Sequence, residues 1–141
     1  MKNIILLVFG ICLFMFSCSD NIENIVLTEC NKCEKDTNCI IDFANLMNFE
    51  WDTMCYYSMG SSLEEINKDL GFELEGFIDV CDRVIFLNKK KVIYQYRFPY
   101  RPSNPPEGVI FLTDLNKFRV SKSDAKFEVT KEGKAFYLTK R

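Results

Sequence analysis

The sequence predicts an α+β fold, with an antiparallel sheet of five to seven strands and one clear helix, at about residues 62–70, packed on it. Three observations support this prediction. A capping pattern precedes a stretch with helical apolar spacing. Two pairs of strand-like runs are joined by short polar turns. The connections between neighbouring strands are too short for the crossovers that a parallel sheet requires.

The helix is predicted from its ends as well as from its apolar positions. Ser61 and Ser62 each precede a glutamate by three residues, which is the capping-box pattern. Apolar residues then recur at 63, 66 and 70, and Gly71 stands where a left-handed C-terminal cap is expected. The pattern predicts a helix of about two turns. The glutamates suit the positive end of its dipole, which is a sufficient structural reason for their presence.

The strands are predicted from runs of β-branched and aromatic residues. Residues 51–58 favour a strand with Trp51, Thr53, Cys55 and Tyr57 on one face. Residues 39–43 fit a short strand, with a helix over 39–48 as the competing interpretation. The remaining strands are a hairpin with arms at 84–87 and 92–98, a short strand at 109–112, and a final hairpin with arms at 127–129 and 136–138.

All four prolines of the chain fall between residues 99 and 106, directly after a predicted strand. Proline cannot donate to a sheet ladder, so this segment is predicted to be a loop outside any central strand pairing. In the strand before it, alternation places Val92, Tyr94, Tyr96 and Phe98 on one face, opposite Ile93, Gln95 and Arg97.

The N-terminus has the pattern of an export signal. Lys2 is followed by an almost continuous apolar run from Ile4 to Phe16, which is shorter than the roughly 20 residues that a membrane span needs. Ser17 is small enough for a cleavage pocket, and Cys18 follows it directly. The predicted organisation is a signal peptide over residues 1–17, a polar tether over 18–29 and one domain over 30–141.

The Ser17–Cys18 junction resembles the lipid-acceptor site of bacterial lipoproteins. It departs from that signal at two positions, because Met15 stands where leucine is usual and Phe16 where a small residue is usual. The resemblance implies acylation of Cys18 and location in the bacterial cell envelope, on the periplasmic or the surface side. The alternative is an ordinary secretory signal with an incidental cysteine.

A second resemblance covers about a third to a half of the chain. From Phe49 to Phe98 the order is a Trp-Asp pair, an aromatic strand, a capped helix ending Leu-Gly, and a lysine-rich hairpin. This order is similar to a pattern found among small, uncharacterised bacterial lipoproteins. The resemblance implies the fold and the envelope location, and it implies no activity and no functional residue.

Five cysteines follow the acceptor site, at positions 30, 33, 39, 55 and 81. In an exported chain they are disulfide candidates, and because five is odd at least one thiol is left over. Cys30 and Cys33 form a C-x-x-C motif, which also occurs in thiol oxidoreductases. That class needs a βαβ framework, which the sequence does not predict, so a local structural disulfide is the favoured interpretation. Reduced cysteines and a thiol redox enzyme are the alternatives.

Composition disfavours several kinds of chemistry. The chain has no histidine, which removes the commonest general base, the commonest mixed-site zinc ligand and every Ser-His or Cys-His nucleophile pair. Carboxylates occur in close pairs, such as Glu50 with Asp52 and Asp79 with Asp82, but a domain of this size has little room for a glycosidase cleft. We therefore expect a protein that is not an enzyme and that uses no metal or cofactor.

Charge is divided unevenly along the chain. Residues 18–80 contain 14 acidic and 3 basic side chains, whereas residues 81–141 contain 6 acidic and 14 basic ones. Mutual compensation within one compact domain is the simpler explanation, and a basic binding face is the alternative. Since an exported protein rarely meets nucleic acid, we expect no nucleic-acid partner.

The candidate binding patch consists of Arg97, Tyr100 and Arg101. Tyrosine and arginine are enriched at binding hot spots, and the prolines around them order the loop in advance. The function predicted from sequence is a membrane-anchored, non-catalytic module that binds another envelope or secreted protein, as an inhibitor or an immunity protein does. A structural or assembly accessory of an envelope complex is the alternative.

Overall fold

The computed structural model describes residues 21–33 and 38–141 and confirms the α+β class. These residues form three α-helices, one short 3-10 helix and eight strands. The helices are α1 (Ile22–Asn31), α2 (Phe43–Leu46) and α3 (Leu63–Leu70), and the 3-10 turn is Lys122–Asp124. The strands are β1 (Cys39–Asp42), β2 (Thr53–Tyr57), β3 (Asp82–Asn88), β4 (Lys91–Phe98), β5 (Glu107–Leu112), β6 (Lys117–Ser121), β7 (Lys126–Glu132) and β8 (Lys134–Lys140).

The strands form two sheets of four, where the sequence predicted one sheet of five to seven strands. Sheet I has the order β1-β7-β8-β5, and sheet II has the order β4-β3-β2-β6. All pairings are antiparallel except that of β5 with β8, which is parallel. The parallel pair is possible because the chain passes through β6 in sheet II and through β7 before it returns as β8. This detour is long enough for a parallel connection, which the short links between neighbouring strands did not predict.

The main hydrophobic core lies between the two sheets and contains Met54 and Phe86 from sheet II, Phe127 and Leu138 from sheet I, and Phe43 from α2. A second, smaller core lies on the other face of sheet II, beneath α3. Strand β2 therefore has both faces buried. Met54 and Tyr56 face the main core, and Cys55 and Tyr57 face the smaller one.

Helix α3 and the two hairpins form where the sequence predicted them. The Ser62 hydroxyl accepts the Glu65 N–H at 3.2 Å, and the Glu65 carboxylate accepts the Ser62 N–H at 2.9 Å, so the capping box is complete. Gly71 ends the helix with a φ of 80°. Residues 39–48 contain both of the competing elements, because β1 runs directly into α2 at Phe43.

Trp51 and Asp52, the Trp-Asp pair, both have structural roles. Trp51 packs edge-on against Phe86 with ring centroids 4.9 Å apart, so it lies in the main core and not on the Cys55 face that alternation predicted. The prediction was wrong because Trp51 precedes the first paired residue of β2. The Asp52 carboxylate accepts the Lys89 N–H at 2.6 Å, and this hydrogen bond lowers the pKa of Asp52. It supports the β3–β4 turn.

Strand β4 shows where strict alternation fails. Tyr94, Tyr96 and Phe98 pack against the main core, as predicted. Val92 does not, because a bulge between the pairs Phe86–Tyr94 and Leu87–Val92 turns it to the other face. One β-bulge thus moves Val92 out of the predicted stripe, and its side chain is exposed.

Part of the predicted tether belongs to the folded body. Residues 22–31 form α1, with the Asn21 side chain accepting the Asn24 N–H at 2.9 Å as its N-cap. Ile22, Val26 and Cys30 repeat every four residues and are buried in the main core. The helix lies against both edge strands of sheet I, β1 and β5. The apolar spacing and the Asn21 cap are the signals that predict this helix once they are read together.

Candidate binding cleft

The three residues of the predicted patch do not all lie together. Arg97 projects from the face of β4 that is opposite to Tyr96, and its Nη1 donates to the Gly76 carbonyl at 2.9 Å. Tyr100 and Arg101 lie on the proline loop and line a cleft that Arg97 does not reach. The alternation of β4 separates Arg97 from the other two.

Arg101 forms an ion pair with Glu23 of α1. Its Nη1 lies 3.1 Å from Glu23 Oε1, and the hydroxyl of Tyr96 donates to Glu23 Oε2 at 2.9 Å. The Glu23 side chain is 8% exposed, whereas that of Arg101 is 52% exposed. Burial, together with the hydrogen bond to Glu23, raises the pKa of Tyr96 to about 12. The buried carboxylate thus joins α1, β4 and the proline loop.

Gly108 lies beside this junction with a backbone conformation that favours glycine. Its φ is 86°, and a Cβ atom placed on it would lie 3.5 Å from Glu23 Oε1. A Cβ would make ordinary contact with that carboxylate, but a residue other than glycine would be strained at this φ.

The cleft itself has a volume of about 290 Å³ and lies between the proline loop, β5 and the start of β3. Its apolar lining comes mainly from Phe98, Pro99, Tyr100, Pro106 and Val109. Tyr100 lines the cleft and is itself 60% exposed to solvent. A rigid loop with an exposed aromatic ring beside a cleft is an arrangement suited to recognition.

Asp82 supplies a fixed carboxylate at one end of the cleft. Its Oδ2 accepts the Tyr56 hydroxyl at 3.1 Å, and its Oδ1 accepts the Met59 N–H at 2.6 Å. Burial and the negative charge of Asp82 raise the pKa of Tyr56 well above its usual range. Tyr56 therefore stays neutral and remains a hydrogen-bond donor to Asp82.

The five cysteines that were disulfide candidates form one disulfide and leave three free thiols. Cys33 and Cys39 form a disulfide, which ties the end of α1 to β1. Cys30, Cys55 and Cys81 are free and buried. The prediction of a structural disulfide is confirmed for this pair.

The C-x-x-C motif is placed poorly for thiol chemistry. Cys30 lies near the C-terminal end of α1, where the helix dipole disfavours a thiolate, and Cys33 is already paired with Cys39. Burial raises the pKa of the Cys30 thiol to about 12. The thiol is therefore protonated near neutral pH and is a weak nucleophile.

A larger depression, of about 490 Å³, borders the disulfide. Residues 34–37 lie outside the described residues. Residues 1–20, which include Cys18 and the predicted signal peptide, also lie outside them. In the part of the chain that the structure describes, no helix has the length and hydropathy that crossing a bilayer would require.

Comparison with known proteins yields no relative. No protein-family model matches the chain, and neither the curated proteins nor the solved structures contain a significant match.

Glu23, Asp82 and Glu107 are the acidic residues of the cleft, and the sequence did not identify them as site residues. Glu23 was assigned to a tether, and Asp82 was considered only as one of a pair of nearby carboxylates. The spacing of Ile22, Val26 and Cys30 predicts the helix that carries Glu23, but no sequence signal predicts its contact with Arg101. That contact joins residues 78 positions apart.

Proposed function

We propose that this protein is a non-catalytic binding module, anchored by lipid at Cys18 to a membrane of the bacterial cell envelope. It recognises another envelope or secreted protein through the cleft beside Tyr100. The anchor requires acylation of Cys18 and cleavage of the chain between Ser17 and Cys18. Acyl chains contribute about 0.8 kcal/mol per buried CH₂ to membrane binding, so two or three chains hold the protein firmly. An inhibitor or an immunity protein is one form that such a binding function takes.

The observation that carries the proposal is the Arg101–Glu23 contact. It fixes the proline loop to α1 while leaving Tyr100 exposed at the mouth of the cleft. A loop that is ordered before binding loses little conformational entropy when a partner arrives. Exposed tyrosines on rigid supports are among the residues that contribute most to protein–protein affinity.

The length of the connection to the anchor supports a partner near the membrane. Only residues 19–21 separate Cys18 from the first residue of α1. A chain of this length spans at most about 14 Å when fully extended. Since Glu23 lies in the first turn of α1 and borders the cleft, an anchor at Cys18 keeps the cleft close to the bilayer surface.

The thiol redox alternative has less support. Cys30 is buried, its pKa is raised to about 12, and its C-x-x-C partner is bonded to Cys39. An assembly accessory would share the anchor and the binding cleft. It differs from an inhibitor in remaining bound to a stable complex when the membrane is dissolved in mild detergent.

Site-specific photo-crosslinking in the native cells tests the proposal. A benzoylphenylalanine placed at Tyr100 should give a discrete crosslinked product, and Arg101→Ala should reduce its yield at least fivefold because the loop loses its attachment. The matched control is the same label at Leu115, which is 76% exposed and does not line the cleft.

Equal crosslinking patterns at positions 100 and 115, or no product at position 100, would contradict the proposed function. Arg97→Ala is a second control, because Arg97 lies on the other face of β4 and should leave the yield unchanged.

A further inference from the structure

We propose that the cleft beside Tyr100 binds a basic side chain, an arginine or a lysine, from the surface of the partner protein. Asp82 is the charge partner, and Tyr100 covers the bound group. This inference rests on the proposed function, because it specifies the chemistry of the partner at the same cleft.

The size and lining of the cleft suit one long side chain. At about 290 Å³ it lies at the lower limit of small-molecule pockets, which are roughly 300–1,000 Å³. Phe98, Pro99, Pro106 and Val109 give it apolar walls. Arginine and lysine bury their methylene stems against such walls and keep the charged end near polar groups.

The charge balance selects a cation. Three carboxylates line the cleft, from Glu23, Asp82 and Glu107, against the single guanidinium of Arg101. Glu23 and Arg101 neutralise each other at 3.1 Å. Within the described residues, neither Asp82 nor Glu107 has a lysine or arginine nitrogen within 4.0 Å. Because Arg101 is already paired with Glu23, the cleft offers an anionic ligand little attraction. The carboxylates of Asp82 and Glu107 have no basic partner, so they attract a basic ligand.

The recognition groups are already in position. The hydrogen bonds from Tyr56 and Met59 hold the Asp82 carboxylate, and each of its oxygens keeps a further lone pair for a ligand. Tyr100 presents its ring at the mouth of the same cleft, where a cation can pack against the aromatic face. Little reorganisation is required when the basic side chain enters.

The test uses two matched probes, N-acetyl-arginine amide and its neutral analogue N-acetyl-citrulline amide. The acylated protein is labelled with ¹³C-methyl methionine and purified from its membrane in detergent. The Met59 methyl signal, assigned with Met59→Leu, reports on the cleft. We expect saturable shifts with the arginine probe at millimolar concentrations and at least fivefold weaker binding of citrulline.

Charge variants test the role of Asp82. Asp82→Asn should weaken binding of the arginine probe at least fivefold, and Glu128→Gln, which removes one charge from an exposed position on β7, should leave it unchanged. If Asp82→Asn does not fold, Tyr100→Ala provides the second variant. Tyr100 is exposed, so its removal leaves the core intact. Binding of the arginine probe should weaken at least threefold because the aromatic ring over the cation is lost.

Equal binding of the arginine and citrulline probes would overturn this inference. A Met59 shift produced by phosphatidylglycerol vesicles would also overturn it, if an excess of the arginine probe did not reverse that shift. Such a result would assign the surface to lipid headgroups. Either result leaves the crosslinking test intact. A discrete product at position 100 with no arginine preference would retain the binding module and reject only the basic side chain.

Discussion

Phe43→Ala should lower the free energy of unfolding by about 4 kcal/mol. Phe43 is fully buried at the start of α2, between the two sheets. Its ring lies 5.4 Å from that of Phe127, 6.2 Å from Phe111 and 6.4 Å from Phe86, measured between ring centroids. Removing the ring leaves a cavity between strands of both sheets. Urea denaturation followed by circular dichroism measures the loss.

The matched control for this variant is Phe43→Leu. It keeps most of the volume and should cost about 1.5 kcal/mol. A loss below about 1 kcal/mol in Phe43→Ala would mean that the two sheets do not close on this ring, and the description of the core would be wrong.

Arg83→Ala should destabilise the protein by about 3 kcal/mol. Arg83 is 1% exposed and lies on β3, beneath the segment that follows α3. Its Nη2 donates to the Ile78 carbonyl and lies 3.4 Å from Cys81 Sγ, and its guanidinium carbon lies 4.4 Å from the centre of the Phe77 ring. The arginine therefore attaches residues 77–81 to the sheet, and alanine removes every one of these contacts.

Arg83→Met separates the contribution of packing from that of charge. Two of the guanidinium nitrogens, Nε and Nη1, have no hydrogen-bond partner in the described residues, and burial lowers the pKa of the group. A methionine fills similar space without burying a charge, so it should recover most of the stability, to within about 1 kcal/mol of the native protein. If methionine were as damaging as alanine in thermal melts, the hydrogen bonds and not the packing would dominate at this position.

The local elements were predictable from sequence because their signals are local. The capping box at Ser62 and Glu65 and the left-handed Gly71 define α3 within ten residues. The hairpins β3–β4 and β7–β8 have short turns between apolar arms. Each signal involves neighbours in the chain, so no knowledge of the tertiary structure was needed.

The division into two sheets was not predictable in the same way. Strand β6, with only Phe118 and Val120 as apolar residues, pairs with β2, about 60 residues earlier in the chain. The parallel pairing of β5 with β8 depends on that excursion into sheet II. Helix α1 was missed because half of its ten residues are polar, although its buried apolar side chains recur every four residues.

The candidate site was predicted in part. The composition of the proline loop identified Tyr100 and Arg101, and the structure places both at the cleft. Arg97 was grouped with them by proximity in sequence, but strand alternation turns it to the other face. Glu23 and Asp82 could not be found from sequence, because each reaches the cleft through contacts with residues far away in the chain.

The most direct test of the anchored-module account is the intact mass of the protein from its native membrane, alkylated in denaturant without reduction. The account predicts a chain that begins at Cys18, carries acyl chains and takes up three alkyl groups, on Cys30, Cys55 and Cys81. The Cys33–Cys39 disulfide protects the remaining two sulfurs. A chain without lipid would contradict the anchor, and five alkyl groups would contradict the disulfide and restore the redox alternative.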